Sequence, residues 1–459
     1  MIKVENVVVG GGPGGYVAGI RLAQLGREVL VVEKKRLGGV CLNEGCIPTK
    51  ALLSATDTIE NIEKFKKAGI DVSYKVDVDR LRVWKDSVVD RLVKGVEFLF
   101  RANGVGYLKA RAEFVRPGVL MTDTGEEIHY RNAIIATGSR PAEIPGFSFG
   151  DGIISSSEAL DIREVPDRIL IIGGGVIGLE MATIYSRLGS KVYVVELMDQ
   201  ILPGIDPDLV KVVEKNLRQR GVEIYTSSKA EGKSGRGPYA VRISPGGKLI
   251  EVDRILLSVG RKPNSDGIGL ENLGELTDER GFVKTDGSMR TGVDGIYAIG
   301  DVRGMPMLAH KAHREGIIAA ESIAGEGVEF ENRVIPAVVY TSPEVATVGL
   351  SEAEARSKGL KVKVGRFPLA ANGRAIGMMD YDGFVKIIVD GDTDAIVGAG
   401  IVAPHAGELI GELALAMELE ATAFDVGFTI HPHPTISEAI MEAAEFVHGR
   451  AIHIVNKRI

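Results

Sequence analysis

The sequence predicts an α/β fold: two Rossmann-like dinucleotide-binding units on parallel sheets, followed by a C-terminal α+β unit. Three observations carry this. A strand, a glycine-rich loop, a helix and a second strand follow one another from Asn6 to Glu33. The same order returns from Arg168 to Glu196. After Pro336 strand-like and helical stretches alternate without any phosphate-binding loop.

In the first unit the apolar run from Asn6 runs into Gly10-Gly-Gly12-Pro-Gly-Gly15. Tyr16, Ile20, Leu22 and Ala23 then recur at helical spacing until Gly26, and the strand from Glu28 to Val32 stops at Glu33. In this pattern Gly10 permits the turn, Gly12 lets a pyrophosphate approach the backbone, and Gly15 lets helix and strand pack closely. The helix N-terminus offers free N–H groups and partial positive charge to the phosphates. The carboxylate at the end of the second strand accepts hydrogen bonds from ribose hydroxyls.

Gly173, Gly175 and Gly178 repeat the pattern after the strand Arg168–Ile172. Gly189 ends the following helix, and Lys191–Val195 leads to Glu196. Glu33 follows Gly10, and Glu196 follows Gly173, by the same 23 positions. Two such units imply two dinucleotides, or one unit that has lost its ligand. A carboxylate at 196 suits a free 2′-hydroxyl and repels a 2′-phosphate, and Leu197-Met198-Asp199-Gln200 holds no arginine. The residues therefore point to NAD rather than NADP.

A further strand, from Gly295 to Ile299, ends in Gly300-Asp301. Beyond Pro336, strands are expected at 338–340, 384–389 and 395–402, and helices at 352–358 and 407–420. Loops near Pro145, Lys262 and Pro336 divide the chain into 1–145, 146–265, 266–335 and 336–459. A hydrophobic share of 45% and a charged share of 25% are those of a globular protein. A net charge of −7 argues against a nucleic-acid partner. No apolar run approaches the roughly 18 residues of a membrane span. Strand-like residues begin at Val4, so no signal peptide is expected, in keeping with a cytoplasmic protein.

The chain has two cysteines, Cys41 and Cys46. A close pair in a large chain is redox-active or metal-binding, and no second pair or nearby His completes a metal site. On a regular helix, Cα atoms five residues apart lie ~8.6 Å from each other, given the standard rise and radius. A disulfide needs less than about 7 Å. The pair closes only where the backbone leaves the helix, and Gly45 and Pro48 allow that. Two buried free thiols are the bland alternative.

The string from Gly38 to Lys50, GGVCLNEGCIPTK, resembles the redox segment of the pyridine-nucleotide disulfide oxidoreductases. The likeness continues through IIATGSRP (134–141), GGGVIGLE (173–180), SVGRKPN (258–264), YAIGD (297–301), PMLAHKA (306–312), IPAVVYTSPEVATVGLSE (335–352) and HPHPTISE (431–438). Two positions depart from it: Glu44 stands where many members carry Val, and Ser342 where members often carry an acidic residue or His.

The resemblance implies that the first unit binds FAD and the second NAD. It also implies that the NAD unit is inserted within the FAD unit, and that the C-terminal unit makes a homodimer. It makes Cys41 the thiol that exchanges with substrate and Cys46 the one nearer the flavin, with Lys50 and Glu180 an ion pair beside it. It assigns Asp301 to the ribityl portion of FAD and the helix start at Ala309 to the flavin edge. It adds Gly38, Gly39, Ala112, Thr137, Gly138, Gly260 and Arg261 to the cofactor-binding set. His433, oriented by Glu438 and supplied by the partner subunit, is the acid/base. Spacing alone does not separate His433 from His431, and Glu438 also reads as the last residue of a capping box opened by Thr435. The implied reaction is oxidation of protein-bound dihydrolipoamide with reduction of NAD. The implied partner is the lipoyl domain of a 2-oxo-acid dehydrogenase acyltransferase or of a glycine-cleavage system. A glutathione-reductase-like member, or a flavoprotein subunit that no longer turns over, is the alternative.

Overall fold

Along the first strand, β1 (Ile2–Val9), Val8 is buried in one apolar cluster while Val7 and Val9 are buried in another on the opposite face. A strand covered on both faces needs such an unbroken apolar run. The computed structural model describes residues 1–456. After β1 come α1 (Pro13–Gln24), β2 (Val29–Glu33), α2 (Gly39–Glu44), α3 (Cys46–Phe65), α4 (Val78–Asn103), β3 (Gly106–Lys109), β4 (Ala112–Arg116), β5 (Val119–Thr122) and β6 (Glu127–Ile135). Their sheet has the order β3-β2-β1-β6-β5-β4. The β3, β2, β1 and β6 pairings are parallel, and β4–β5–β6 is an antiparallel meander.

The chain leaves through β7 (Ser139–Pro141) into β8 (Ile153–Ile154), α5 (Ser156–Leu160), β9 (Arg168–Ile172), α6 (Val176–Arg187), β10 (Lys191–Val195), α7 (Pro207–Gln219) and β11 (Glu223–Tyr225). An antiparallel meander follows, β12 (Lys229–Ser234), β13 (Tyr239–Ser244) and β14 (Lys248–Val252), and then β15 (Arg254–Leu257). The second parallel sheet has the order β11-β10-β9-β15-β8. β16 (Arg261–Pro263) returns antiparallel to β7, and β17 (Ile296–Ala298) joins the first sheet beside β6. The second sheet thus lies, in sequence, between strands of the first. α8 (Ala309–Ala324) packs against α1.

The last unit contains β18 (Ala337–Val339), β19 (Glu344–Gly349), α9 (Glu352–Ser357), β20 (Val362–Pro368), α10 (Gly373–Gly377), β21 (Phe384–Asp390), β22 (Ile396–Ala403), α11 (Ala406–Glu418), α12 (Ala423–Phe428) and α13 (Glu438–Val447). Its sheet is antiparallel, ordered β18-β19-β22-β21-β20, and its core joins Ile387 and Ile401 to Leu413 and Ile440 of α11 and α13. Among the described residues, no helix is long and apolar enough to cross a membrane.

Candidate active site

Two nucleotide cradles are built alike. α1 and α6 begin after Gly12 and Gly175, neither with a side-chain cap, so their first N–H groups are free for an anion. A Cβ on Gly15 would lie 1.8 Å from the Gly10 carbonyl oxygen, and one on Gly178 would lie 2.1 Å from that of Gly173. Helix and strand pack so closely that only glycine fits. Glu33 Oε2 accepts the Gly11 N–H at 2.8 Å and Oε1 that of Lys35 at 2.8 Å. Glu196 repeats this with Gly174 at 2.7 Å and Met198 at 2.8 Å. Each carboxylate is fixed at its strand end and keeps lone pairs for ribose hydroxyls.

A cavity of about 380 Å³ opens at the first cradle, lined by Gly10, Glu33, Ala112 and Thr137 together with Ala110 and Asn264. Gly38 and Gly39 press the following turn onto this loop. The Gly38 N–H donates to the Gly11 carbonyl at 2.7 Å, and a Cβ on Gly39 would lie 2.6 Å from the Gly12 Cα. At the second cradle a Cβ on Gly175 would meet nothing within 4 Å, so the backbone is open to approach. These residues fit FAD and NAD.

Between Cys41 and Cys46 the helix breaks. α2 ends at Glu44, Gly45 takes φ −146° and ψ −108°, and α3 starts at Cys46. Both cysteines are free thiols here, Cys41 half-buried and Cys46 exposed. They titrate as an unequal pair. The hydrogen bond between them pushes the Cys41 thiol up and brings Cys46 down to about 7, with the Lys50 cation also lowering Cys46. These directions favour ionisation at Cys46 over Cys41.

One turn along α3, Lys50 Nζ donates to both oxygens of Glu180 on α6 at 3.0 Å. Glu180 is buried, and its Oε1 also accepts the Tyr340 N–H at 3.1 Å. Asp301, in the turn after β17, accepts the Ser139 hydroxyl at 2.5 Å, and Arg261 Nε donates to the same hydroxyl at 2.7 Å. Burial lowers the Arg261 pKa, while Asp301, Cys46 and Glu44 oppose that. Through Ser139, Arg261 is joined to the Asp301 turn. Gly138 and Gly260 take positive φ beside β7 and β16, and Ala309 is the first residue of α8. Ser139 and Tyr340 were not singled out by sequence. Both lie inside motif stretches, but nothing in their spacing marks them.

His433 and His431 differ in environment. His431 Nδ1 donates to the Thr429 carbonyl at 2.9 Å and Nε2 to Glu412 at 2.8 Å. The Glu412 contact raises its pKa, and only 4% of its side chain is exposed. Both ring nitrogens are committed. His433 donates from Nδ1 to Glu438 Oε1 at 2.8 Å, and 80% of its side chain is exposed. Its Nε2 has no partner among the described residues. Burial acts to raise the Glu438 pKa, but the Thr435 N–H and His433 hold it below the ordinary value. The capping box is half-formed. Thr435 N–H reaches Glu438 Oε2 at 2.8 Å, while the Thr435 hydroxyl turns to Pro432 and Ser437, and α13 starts only at Glu438. Glu438 serves His433 and the turn together. Among the described residues no hydrogen bond or ion pair joins His433 or Glu438 to the Cys41, Cys46, Lys50 and Glu180 cluster.

The family model for pyridine nucleotide-disulphide oxidoreductases matches residues 4–316, and the model for their dimerisation domain matches 335–444. The chain is 47% identical over 463 residues to a dihydrolipoyl dehydrogenase of Thermus scotoductus, covering 100% of both. It is 45% identical to one of Geobacillus stearothermophilus, covering 99% of this chain and 98% of that protein. Its structure is similar to that of LpdA from Mycobacterium tuberculosis, with a TM-score of 0.89 at 28% identity, covering 96% of this chain and 99% of the other. It is also similar to the HOCl-induced flavoprotein disulfide reductase RclA from Escherichia coli, with a TM-score of 0.87 at 29% identity, covering 95% and 98%. The chain belongs to the pyridine nucleotide-disulphide oxidoreductase family.

Proposed function

We propose that the chain oxidises protein-bound dihydrolipoamide to lipoamide and reduces NAD, the activity for which its curated relatives are named. The observation that carries this reading is the interrupted helix that brings Cys41 and Cys46 together beside the Lys50–Glu180 pair. Residues Gly10, Gly12, Gly15, Glu33, Gly38, Gly39, Ala112, Thr137, Gly138, Asp301 and Ala309 hold FAD. Gly173, Gly175, Gly178, Glu196 and Gly260 hold NAD, with Arg261 between the two sites. When bound, FAD accepts the electron pair of the dithiol and NAD is the final hydride acceptor.

The chain's own groups perform the thiol chemistry. His433 Nε2 takes the proton of one substrate thiol, with Glu438 holding Nδ1–H so that Nε2 is the free base. The substrate thiolate attacks Cys41 Sγ in the disulfide form, breaking the Cys41–Cys46 bond and releasing Cys46 as a thiolate. Lys50 stabilises that thiolate. The second substrate thiol displaces Cys41, closing the lipoyl disulfide; its proton passes to the leaving Cys41 sulfur, and His433 keeps the first proton. One dithiol is oxidised and one disulfide reduced.

The dimerisation-domain match and the exposure of His433, Phe428 and Ile430 support a homodimer in which each His433 serves the partner's thiol pair. The lipoyl domain of a 2-oxo-acid dehydrogenase acyltransferase, or of a glycine-cleavage system, is the proposed substrate carrier, and the cytoplasm the proposed setting. The test is Cys46→Ser, which is expected to abolish dihydrolipoamide oxidation while flavin stays bound; retained turnover would refute the thiol assignment. Assays of the unaltered protein with oxidised glutathione and NADPH should be slower than with dihydrolipoamide and NAD. A higher kcat/KM for NADPH would overturn the reading of Glu196.

A further inference from the structure

We propose that Tyr340 is a positioning residue of the redox centre, whose ring face holds the Lys50 ammonium in place beside Cys46. The inference rests on the reading of Cys41, Cys46, Lys50 and Glu180 as the thiol site. Lys50 Nζ lies 4.5 Å from the centre of the Tyr340 ring and 3.0 Å from Glu180 Oε2. An ammonium over an aromatic face is attracted by the ring's quadrupole. The same residue's N–H donates to Glu180 Oε1 at 3.1 Å. Tyr340 thus meets both members of the ion pair, the cation through its side chain and the carboxylate through its backbone.

The three residues come from three sheet units. Lys50 is on α3, which follows the first cradle, Glu180 on α6 of the second, and Tyr340 directly follows β18 of the C-terminal unit. Glu180 alone does not fix where the ammonium sits, because Lys50 reaches it along a flexible four-carbon stem and 32% of the Lys50 side chain is exposed. The ring face gives the ammonium a second contact besides Glu180. Burial holds the Tyr340 hydroxyl above its usual range, and Glu344, Glu180, Glu408 and Cys46 add to that.

The titratable groups around Cys46 are Cys41 on α2, Lys50, Glu180, and Arg261 of β16, which also feels Cys46. Of these, Lys50 favours the Cys46 thiolate and Glu180 opposes it. A lysine held by ring and carboxylate together therefore adds to the Cys41 hydrogen bond in lowering the pH at which Cys46 ionises. A lysine released from the ring lets that pH rise.

The test is the pH dependence of iodoacetamide alkylation at Cys46, read by peptide mapping on NADH-reduced, FAD-loaded protein. Tyr340→Leu keeps the backbone N–H to Glu180 and removes the ring face. Its Cys46 profile is expected to move up, by a fraction of the shift that Lys50→Met produces. Tyr340→Phe keeps the ring face and should superimpose on the unaltered protein. A Leu profile that does not move, or a Phe profile that moves as far as Leu, overturns the proposal. Lys50→Met is the benchmark: if it too leaves the profile unmoved, the reading of the thiol site itself fails, whereas a shift in Lys50→Met without one in Tyr340→Leu refutes Tyr340 alone. Dimer mass and flavin content checked on each variant separate these outcomes from misfolding.

Discussion

At the scale of single residues, two histidines two positions apart look alike in sequence and part ways in the fold. His431 spends both nitrogens on Thr429 and Glu412, whereas His433 keeps Nε2 in the open. Burial and partner geometry separate them, and neither is written in a His-Pro-His-Pro string. The break at the cysteine pair was legible as a condition: a disulfide at five-residue spacing needs the backbone to leave the helix, which it does at Gly45, whereas Pro48 lies within the first turn of α3. Ser139 and Tyr340 were not legible, because each acts through a long-range contact. His433→Ala is expected to lower dihydrolipoamide turnover by about 10²–10⁴-fold with flavin content unchanged, the usual worth of a general base. His431→Ala should instead lower the thermal midpoint, having lost about 1–3 kcal/mol of buried hydrogen bonding. Steady-state rates and melting curves on both variants decide between these roles; an equal fall in turnover for His431→Ala alone would reverse them.

At the scale of elements, the two βαβ cradles were readable because phosphate binding imposes glycine at fixed spacing and a carboxylate at a fixed distance. The antiparallel meanders β4–β5 and β12–β14 were not, since short edge strands such as Ala112–Arg116 carry little apolar alternation. The α3–α4 hairpin escaped as well: α3 begins at the redox cysteine itself, where chemistry rather than periodicity chose the residues. Each cradle tolerates no Cβ at its third glycine, so the two can be disabled separately. Gly15→Ala is expected to yield protein depleted of flavin. Gly178→Ala should stay yellow and show a raised KM for NAD. Flavin absorbance and nicotinamide kinetics check both, and exchanged phenotypes would exchange the cofactor assignments.

At the scale of the whole molecule, the three units also meet at a second carboxylate, the half-buried Glu60. Glu60 on α3 is paired with Arg187 of α6 and with Arg220 after α7, and it accepts the Ser342 hydroxyl at 3.1 Å. Arg220 also donates to the Ser342 carbonyl at 3.0 Å. Ser342, a departure from the family's usual residues, so has a place as a hydrogen-bond partner in this junction. No sequence pattern announces such a network, because its members are contributed by segments far apart in the chain. Burial would raise the Glu60 pKa, but Arg220, Arg187 and Lys64 hold it down to about 2. A carboxyl whose folded pKa is depressed stabilises the fold above its unfolded pKa, and that stability is lost as pH falls toward the folded value. The contribution is about 3 kcal/mol at neutral pH, from the size of the displacement. Glu60→Gln is expected to lower the urea midpoint at pH 7, with the gap to the unaltered protein narrowing from pH ~4.5 toward 2. A gap that stays constant with pH would detach Glu60 from this role.

The account depends on one sulfur pair opening and closing during turnover, and the chain offers a clean count because Cys41 and Cys46 are its only cysteines. The most direct measurement is the number of titratable thiols per chain in the air-oxidised, FAD-loaded protein, before and after anaerobic addition of NADH. Two thiols should appear on reduction, mapped to Cys41 and Cys46, and should vanish again when lipoamide is added. A thiol count that NADH leaves unchanged, in protein that still turns over dihydrolipoamide, would contradict it.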